Sequence, residues 1–238
     1  MLSTLSGMPR LIFLFCFLFC ASTSSYSSST IPPNIRVHLF SDQTIQEIKI
    51  QGVALKLEVH KSGKVDKINL DKFNVIVEKN KIANQYRIII NSEKIDRSLN
   101  FGIDSIIVSS KGVIRLQTIG GVARNIFGSL RLLRHKSDLL PVALLSMDSY
   151  LIGVIDAELG RLDHIELWKA QAILSRTWAI RNHRKFSKEG FPFGVTDDVR
   201  SQAFHGWPLN TKRLLKLKSA VKKTSKKYVA DANKKPIE

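Results

Sequence analysis

A chain of 238 residues with 44% hydrophobic content is long enough for one ordinary domain, or a domain with a smaller companion, and excludes a disordered protein. Lys and Arg outnumber Asp and Glu by 37 to 20, a net charge of +17. That excess predicts attraction to a polyanion or an anionic surface, with nucleic acid, acidic lipid and anionic wall polymers all qualifying.

The amino terminus narrows the choice. Met1 to Arg10 carries one positive charge, Leu11 to Cys20 is an unbroken apolar run, and Ala21 to Thr30 is almost entirely small and polar. This is the order of a secretory signal peptide, and the apolar run is too short to span a bilayer comfortably. Export is expected, with a cut between Ser22 and Ser29 or, failing that, an uncleaved anchor. Both cysteines, Cys16 and Cys20, lie in or at the edge of the apolar run. Bulky Phe17, Leu18 and Phe19 stand where a lipid-modification site needs small residues, which argues against a lipoprotein. A chain cleaved after this run keeps no cysteine, hence no disulfide and no thiolate metal site.

From Ile35 to about Ile119 the apolar residues alternate with period two. Ile35, Val37 and Leu39 share one parity; so do Val53, Leu55, Leu57 and Val59. Shorter runs follow at Phe73 to Val77, Tyr86 to Ile90, Ile103 to Val108 and Val113 to Leu116. Ser62-Gly63-Lys64 and Lys111-Gly112 read as turns and Gly120-Gly121 as a loop. His38 and His60 have no spaced partner and read as structural. No catalytic constellation appears here, so this stretch is expected to be a β-rich region that packs on, or presents, the C-terminal half of the chain.

Gly128 to Arg134 reads as a further strand and Leu139 to Ser146 as an apolar run broken by Pro141. Helical spacing begins near Asp148, which could cap it. Leu151, Val154, Ile155 and Glu158 then fall at i, i+3, i+4 and i+7, and Gly160 can end the helix. Asp163 and Glu166 have the spacing of a capping box for a second helix reaching about Arg184. Leu167, Ala170 and Leu174 form its expected inward stripe. The tail from Thr211 to Glu238 holds ten basic residues against two acidic ones, with Leu214, Leu215, Leu217 and Val221 spaced for an amphipathic helix. Its basic face is either solvated surface or a polyanion-binding face. The expected class is therefore α+β, a β-rich N-terminal region followed by a helical core with a helix, a corner and a helix at its centre. The expected divisions are residues 1–30 for the signal and a Ser-rich linker, 31–127 for the β-rich region and 128–238 for the core.

Glu158 shares a helical face with Leu151, Val154 and Ile155. A carboxyl group looking into an apolar environment holds its proton more tightly, which is what a general acid near neutral pH needs. Periodicity alone equally allows a solvated cap or a salt-bridge partner. Lys169 and Arg176, seven apart, lie on one helical face about 10 Å apart along the axis. They could orient Glu158, hold an anionic or polar substrate, or simply be surface charges. Trp168 and Trp178 could stack on sugar rings or pack in the core.

These residues carry a resemblance. Tyr150-Leu151 and Gly153-Val154, then Glu158, then Lys169-Ala170-Gln171-Ala172 and Arg176-Thr177-Trp178-Ala179 come in the order and spacing of the stage II sporulation protein D and amidase enhancer family. Thr196-Asp197-Asp198 with Gln202 and Phe204 continue the pattern. The chain resembles that family from about Gly128 to Tyr228. The resemblance implies an exported bacterial protein, in the periplasm or cell wall, acting on peptidoglycan glycan strands. Sporulation members are lytic transglycosylases that cut strands stripped of their stem peptides, whereas the amidase enhancer branch stimulates a wall amidase. It further implies Glu158 as the catalytic acid and Lys169 and Arg176 at the active site, with Gln171, Tyr150 and Gln202 as supporting substrate-binding groups.

One well-placed carboxylate suits that chemistry. Ordinary glycosidases use two, but a lytic transglycosylase can use one, because the muramic acid 6-hydroxyl replaces water as nucleophile. Asp156 points away from Glu158 on the helix. Three departures from the family stand out: Leu159 replaces the usual Met, no cysteine is expected in the mature chain for the metal that some members bind, and the sequence stops soon after Lys235-Pro236-Ile237, where the family usually continues into a strand-rich piece with a Gly-Gly motif, so the tail is expected to be either diverged or truncated. No metal or other cofactor is therefore expected. The alternative activity is a non-catalytic wall-binding partner that activates an amidase. The basic tail suits an anionic wall polymer or a membrane surface. A nucleic-acid partner rests on charge alone, with export and the lack of a recognisable motif against it.

Overall fold

The computed structural model describes residues 31–80, 85–91, 96–101, 104–135 and 138–237. The expected export signal, Cys16 and Cys20 lie outside the described residues, as does Ile103 of one expected strand. Among the described residues, no helix is long and apolar enough to cross a membrane.

The architecture is α+β. Eleven strands among the described residues join one mixed sheet, and three helices belong to the C-terminal half. The period-two region supplies β1 (Asn34–His38), β2 (Glu47–Lys61), β3 (Lys64–Asn80), β4 (Gln85–Asn91), β5 (Asp96–Phe101), β6 (Ser105–Ser109) and β7 (Ile114–Thr118), and β8 (Ala123–Ile126) follows it. β9 (Ser129–His135) and β10 (Asp138–Ser146) lead into α1 (Met147–Leu159), followed by α2 (Ile165–Asn182), β11 (Val195–Thr196) and α3 (Thr211–Lys223). The path through the sheet is β11-β1-β10-β9-β6-β2-β3-β4-β5, with β7 bridging β2 and β8. The β1–β11 pair is parallel. The long β2–β3 hairpin closes on Ser62 and Gly63, both at positive φ (46° and 80°), between paired Lys61 and Lys64. Two positive-φ residues are what a two-residue turn needs to match strand twist.

Strand β2 departs from the simple alternation expected for it. Ile48 and Ile50 are buried on one parity, and Leu55, Leu57 and Val59 on the other, while Val53 is 61% exposed. The exchange falls at Ala54, whose φ of 50° turns the pleat over. The same strand edge changes partner there, pairing with β7 before it and β6 after it.

The helices bury their apolar faces against the β1–β10 end of the sheet. Ile35, Val37, Ala143 and Leu145 meet Leu151, Val154 and Ile155 of α1, and Trp168, Leu217 and Val221 join the same core. On the opposite face of β10, Leu140 and Val142 pack with Phe193 and Phe186 in a small second cluster. α1 is buried from Ser149 through Ile155, so it is enclosed rather than amphipathic.

Several local expectations are corrected. Ser146, not Asp148, caps α1, its side chain accepting from Ser149 N, while Asp148 is exposed in the first turn. Asp163 and Glu166 form no capping box; His164 starts α2 without a side-chain cap, and the two acids instead pair with Lys216 and Lys169. The inward face of α2 is Trp168, Ala172, Ser175, Arg176, Thr177, Ala179 and Ile180. Of the expected stripe, Ala170 is exposed and Leu174 is 54% exposed. The reason is that polar side chains on this face find backbone partners, which makes their burial affordable where a hydropathy pattern marks them as surface.

Candidate functional site

The site begins where α1 runs out. Gly160 ends the helix at a φ of 52° and donates its N–H to Asp156 O. The corner after it is tied down by Arg213 of α3, which pairs with Asp156 Oδ1, donates to the carbonyl of Gly160, and lies 5.1 Å from the Trp168 ring centroid. Asp156 is thereby committed to structure, on a different side of the helix from Glu158.

Glu158 is exposed. The apolar enclosure expected for it is absent, because the last turn of α1 projects past the core that encloses the earlier turns. Its Oε1 accepts one hydrogen bond, 3.0 Å from the backbone N–H of Ala203. That amide reaches it through a close approach. A Cβ on Gly153 would lie 2.3 Å from the Phe204 ring, so only glycine lets Phe204 seat on α1, where it also stacks on Tyr150 with centroids 5.9 Å apart. Beyond it, Gly206 adopts a φ of 93° and sits against Asn125 of β8, and Trp207 N bonds Asn125 O at 2.7 Å.

Tyr150 is fully buried, and its hydroxyl donates to Gln202 Oε1 at 3.2 Å. Burial, reinforced by the nearby Glu158 charge, pushes its pKa well above the ordinary tyrosine value, so it acts here as a neutral donor. Gln202 in turn lines a cleft of about 290 Å³ with Gln171, Leu174, Ser175, Trp178, Asn182 and others. Gln202 and Ala203 are consecutive, so one short segment touches both the cleft and Glu158. The structure thus brings together Tyr150, Glu158, Gln171 and Gln202.

Two expected members are engaged in other contacts. Lys169 is engaged with Glu166 at 2.6 Å on the same helix. Arg176 is 1% exposed, and its guanidinium donates to the carbonyls of Thr224 (2.8 Å), Lys227 (2.9 Å) and Val221 (3.4 Å). It serves as a C-terminal cap for α3, satisfying carbonyls that a helix end leaves without partners. Burial lowers its pKa from the usual value, with Asp148 acting in the opposite direction. Trp168 is buried, its Nε1 donating to Leu162 O, whereas Trp178 reaches the cleft wall.

The other acids of the motif build the frame. Asp197 is 4% exposed and accepts from Phe40 N at 2.8 Å, Ser41 N at 3.0 Å and Ser41 Oγ at 2.7 Å, with Arg124 Nε at 3.4 Å. At Asp198 burial works against the charge, yet hydrogen bonds from Arg200, Thr196 and Ser41 hold its pKa well below the carboxylate range. These bonds lock the loop after β11 to the end of β1. Sequence reading missed the part played by Ala203, because a backbone N–H leaves no mark on residue type. It also missed Arg213, which read only as one more charge in the tail.

Fold and site together define an α+β domain with a solvent-facing carboxylate at a helix–corner–helix centre. Residues 135–230 match the family described as Stage II sporulation protein (SpoIID), so that segment is similar to a sporulation- and cell-wall-related family. The segment leaves out β1, although β1 pairs with β10 and supplies Ile35 and Val37 to the shared core. A protein of Brachyspira hyodysenteriae, described as uncharacterized, is 21% identical over 173 residues. That alignment covers 71% of this chain and 45% of the relative, so the chain spans less than half of the relative's length.

Proposed function

We propose that this chain is an exported protein acting on peptidoglycan, a lytic transglycosylase that cleaves glycan strands to 1,6-anhydro-muramic acid ends with Glu158 as acid and base. The observation that carries the reading is the Glu158 carboxylate itself, exposed, tethered by the Ala203 amide, and joined through the adjacent Gln202 to a cleft of apolar walls and amide side chains. The Glu158 carboxyl group donates its proton to the bridging oxygen, and the bond from that oxygen to the anomeric carbon breaks with its electron pair going to the oxygen. The muramic acid 6-hydroxyl oxygen then bonds to the anomeric carbon, and its proton returns to Glu158. No water is consumed. The amide side chains of Gln171, Asn182 and Gln202 suit sugar hydroxyl and acetamido groups, and Trp178 offers a stacking surface. A bound strand over the exposed carboxylate would supply the shielding that α1 does not. Among the described residues the ion-pair partner of Lys169 is exposed Glu166 on the same helix, a contact weak enough to yield to substrate.

One observation favours a second reading. Arg176 is held by carbonyls at the end of α3 and does not line the cleft that Gln171 and Gln202 share, which suits a wall-binding partner that activates an amidase without cutting glycan itself. A Glu158→Gln variant separates the two, because it keeps the Ala203 hydrogen bond and removes the acid. On peptide-stripped glycan, mass spectrometry of released 1,6-anhydro products should show a loss of about 10²- to 10⁴-fold. Unchanged release would sink the catalytic role. Absence of such products from the native chain, with sedimentation on wall material retained, would select the activator.

A further inference from the structure

The outer face of α3 has no part in the cleft, yet it concentrates charge. Lys212, Lys216, Ser219 and Lys223 fall at i, i+4, i+7 and i+11, one stripe about 16 Å long, with Lys222 beside it. Lys226 and Lys227 continue beyond the helix, where Arg176 grips the Lys227 carbonyl and fixes their path. Lys212, Lys222, Lys223, Lys226 and Lys227 are exposed and make no ion pair among the described residues. Lys216 alone on the stripe meets an acid, Asp163. Glu166 already holds Lys169 and also feels the Lys223 charge, and Asp163 feels Lys212 beside its pair with Lys216, so lysines outnumber acids on this surface.

From this surface we infer a docking site for a linear polyanion of repeating phosphate diesters, laid along α3 and independent of the Glu158 chemistry. A lipid surface fits less well. A helix that binds a bilayer must sink its apolar face into the lipid, and here Leu217, Ala220 and Val221 are buried in the core. What remains outward on α3 is mainly a row of flexible point charges, with Leu215 a single exposed apolar side chain rather than an apolar face, which suits a chain of phosphates approached from the side. Arg213 pins the start of the row to the corner after Glu158, so a polymer on α3 would leave the molecule's carboxylate end within reach of what the polymer accompanies.

The test uses the full chain and poly(glycerol phosphate) as probe, with binding followed by fluorescence anisotropy across a salt series. Lys212, Lys222, Lys223 and Lys226 are changed together to Gln; a control variant changes Lys56, Lys64, Lys111 and Lys188, exposed lysines far from α3 in sequence, and so removes the same charge. Native binding should weaken steeply with salt. The α3 variant should bind about tenfold or more weakly at moderate salt, its log–log salt slope reduced by roughly 0.7 for each contacting lysine removed, while the control changes less than about threefold. Equal losses in both variants would reduce the effect to net charge and overturn the site. Binding to vesicles of acidic phospholipid without binding to the polymer would overturn the choice of partner. Unchanged circular dichroism and thermal midpoint in both variants show that the fold is intact, and the readout requires no glycan cleavage, so its failure is distinct from failure of the proposed enzymatic activity.

Discussion

Glu158 and Asp197 are two acids of one family segment, and their surroundings are opposite. Asp197 is 4% exposed and takes hydrogen bonds from two backbone amides and a hydroxyl, with an arginine at 3.4 Å. Glu158 is exposed and takes one bond, from an amide on a loop that is itself held by an aromatic contact. A carboxylate whose lone pairs are consumed by the fold is a structural rivet; one held in place by a single amide keeps acceptor capacity and solvent access for a ligand. The same contrast sorts the cations, with Arg176 consumed by helix carbonyls and the α3 lysines left open.

The contrast can be broken most severely at Asp197. Asp197→Ala leaves the Phe40 and Ser41 amides without an acceptor and Arg124 without its partner, and urea unfolding should show a loss of about 3–5 kcal/mol. A loss below about 1 kcal/mol would mean that the loop is not held as described. Next comes Arg176→Met, which keeps the stem but strips the donors from the end of α3; a loss of about 2–3 kcal/mol is expected. If Arg176 were instead a substrate group, the variant would keep its stability and lose glycan binding.

A smaller effect is expected from pH. His38 lies against Phe193, with ring centroids 4.7 Å apart, and desolvation lowers its pKa from 6.5 to about 4 despite the opposing pull of Asp197. The folded state therefore favours neutral His38, so this contribution is fully present above about pH 6.5 and is lost as pH falls from there towards 4. The unfolded chain binds the proton first in that window, which should remove about 1–3 kcal/mol of stability. His38→Asn should flatten that part of the pH–stability profile. The smallest change belongs to Glu158→Gln, whose stability should stay within about 0.5 kcal/mol of native while its product release collapses. A large stability loss there would place Glu158 with Asp197 among the structural acids.

Much of the fold was legible in residue order. The period-two runs of Ile35–Leu39 and Leu55–Val59, the Ser62-Gly63 turn, the helix ending at Gly160 and the amphipathic tail all appear where local chemistry places them, because each arises from nearest-neighbour sterics or from one apolar face. The family resemblance, rather than spacing, named Glu158, Gln171 and Gln202, which the structure places around the Gln202–Ala203 segment. Val53 escaped the period-two logic, because a single left-handed residue at Ala54 reversed the strand's faces.

What only the tertiary structure decided is who partners whom. A buried arginine and an exposed one are the same letter, and Arg176 could be separated from the α3 lysines only once three carbonyls in and just after α3, 45 to 51 residues away, were seen to converge on it. The tether on Glu158 is a backbone amide delivered by Gly153 and Phe204, a contact between distant segments that hydrophobic period cannot encode. The sequence by itself determined the helix, the corner and the presence of one candidate acid at its end. Long-range packing decided that this acid faces solvent with its tether next to a cleft-lining residue, because satisfying buried polar groups is a property of the folded neighbourhood rather than of the chain's local pattern.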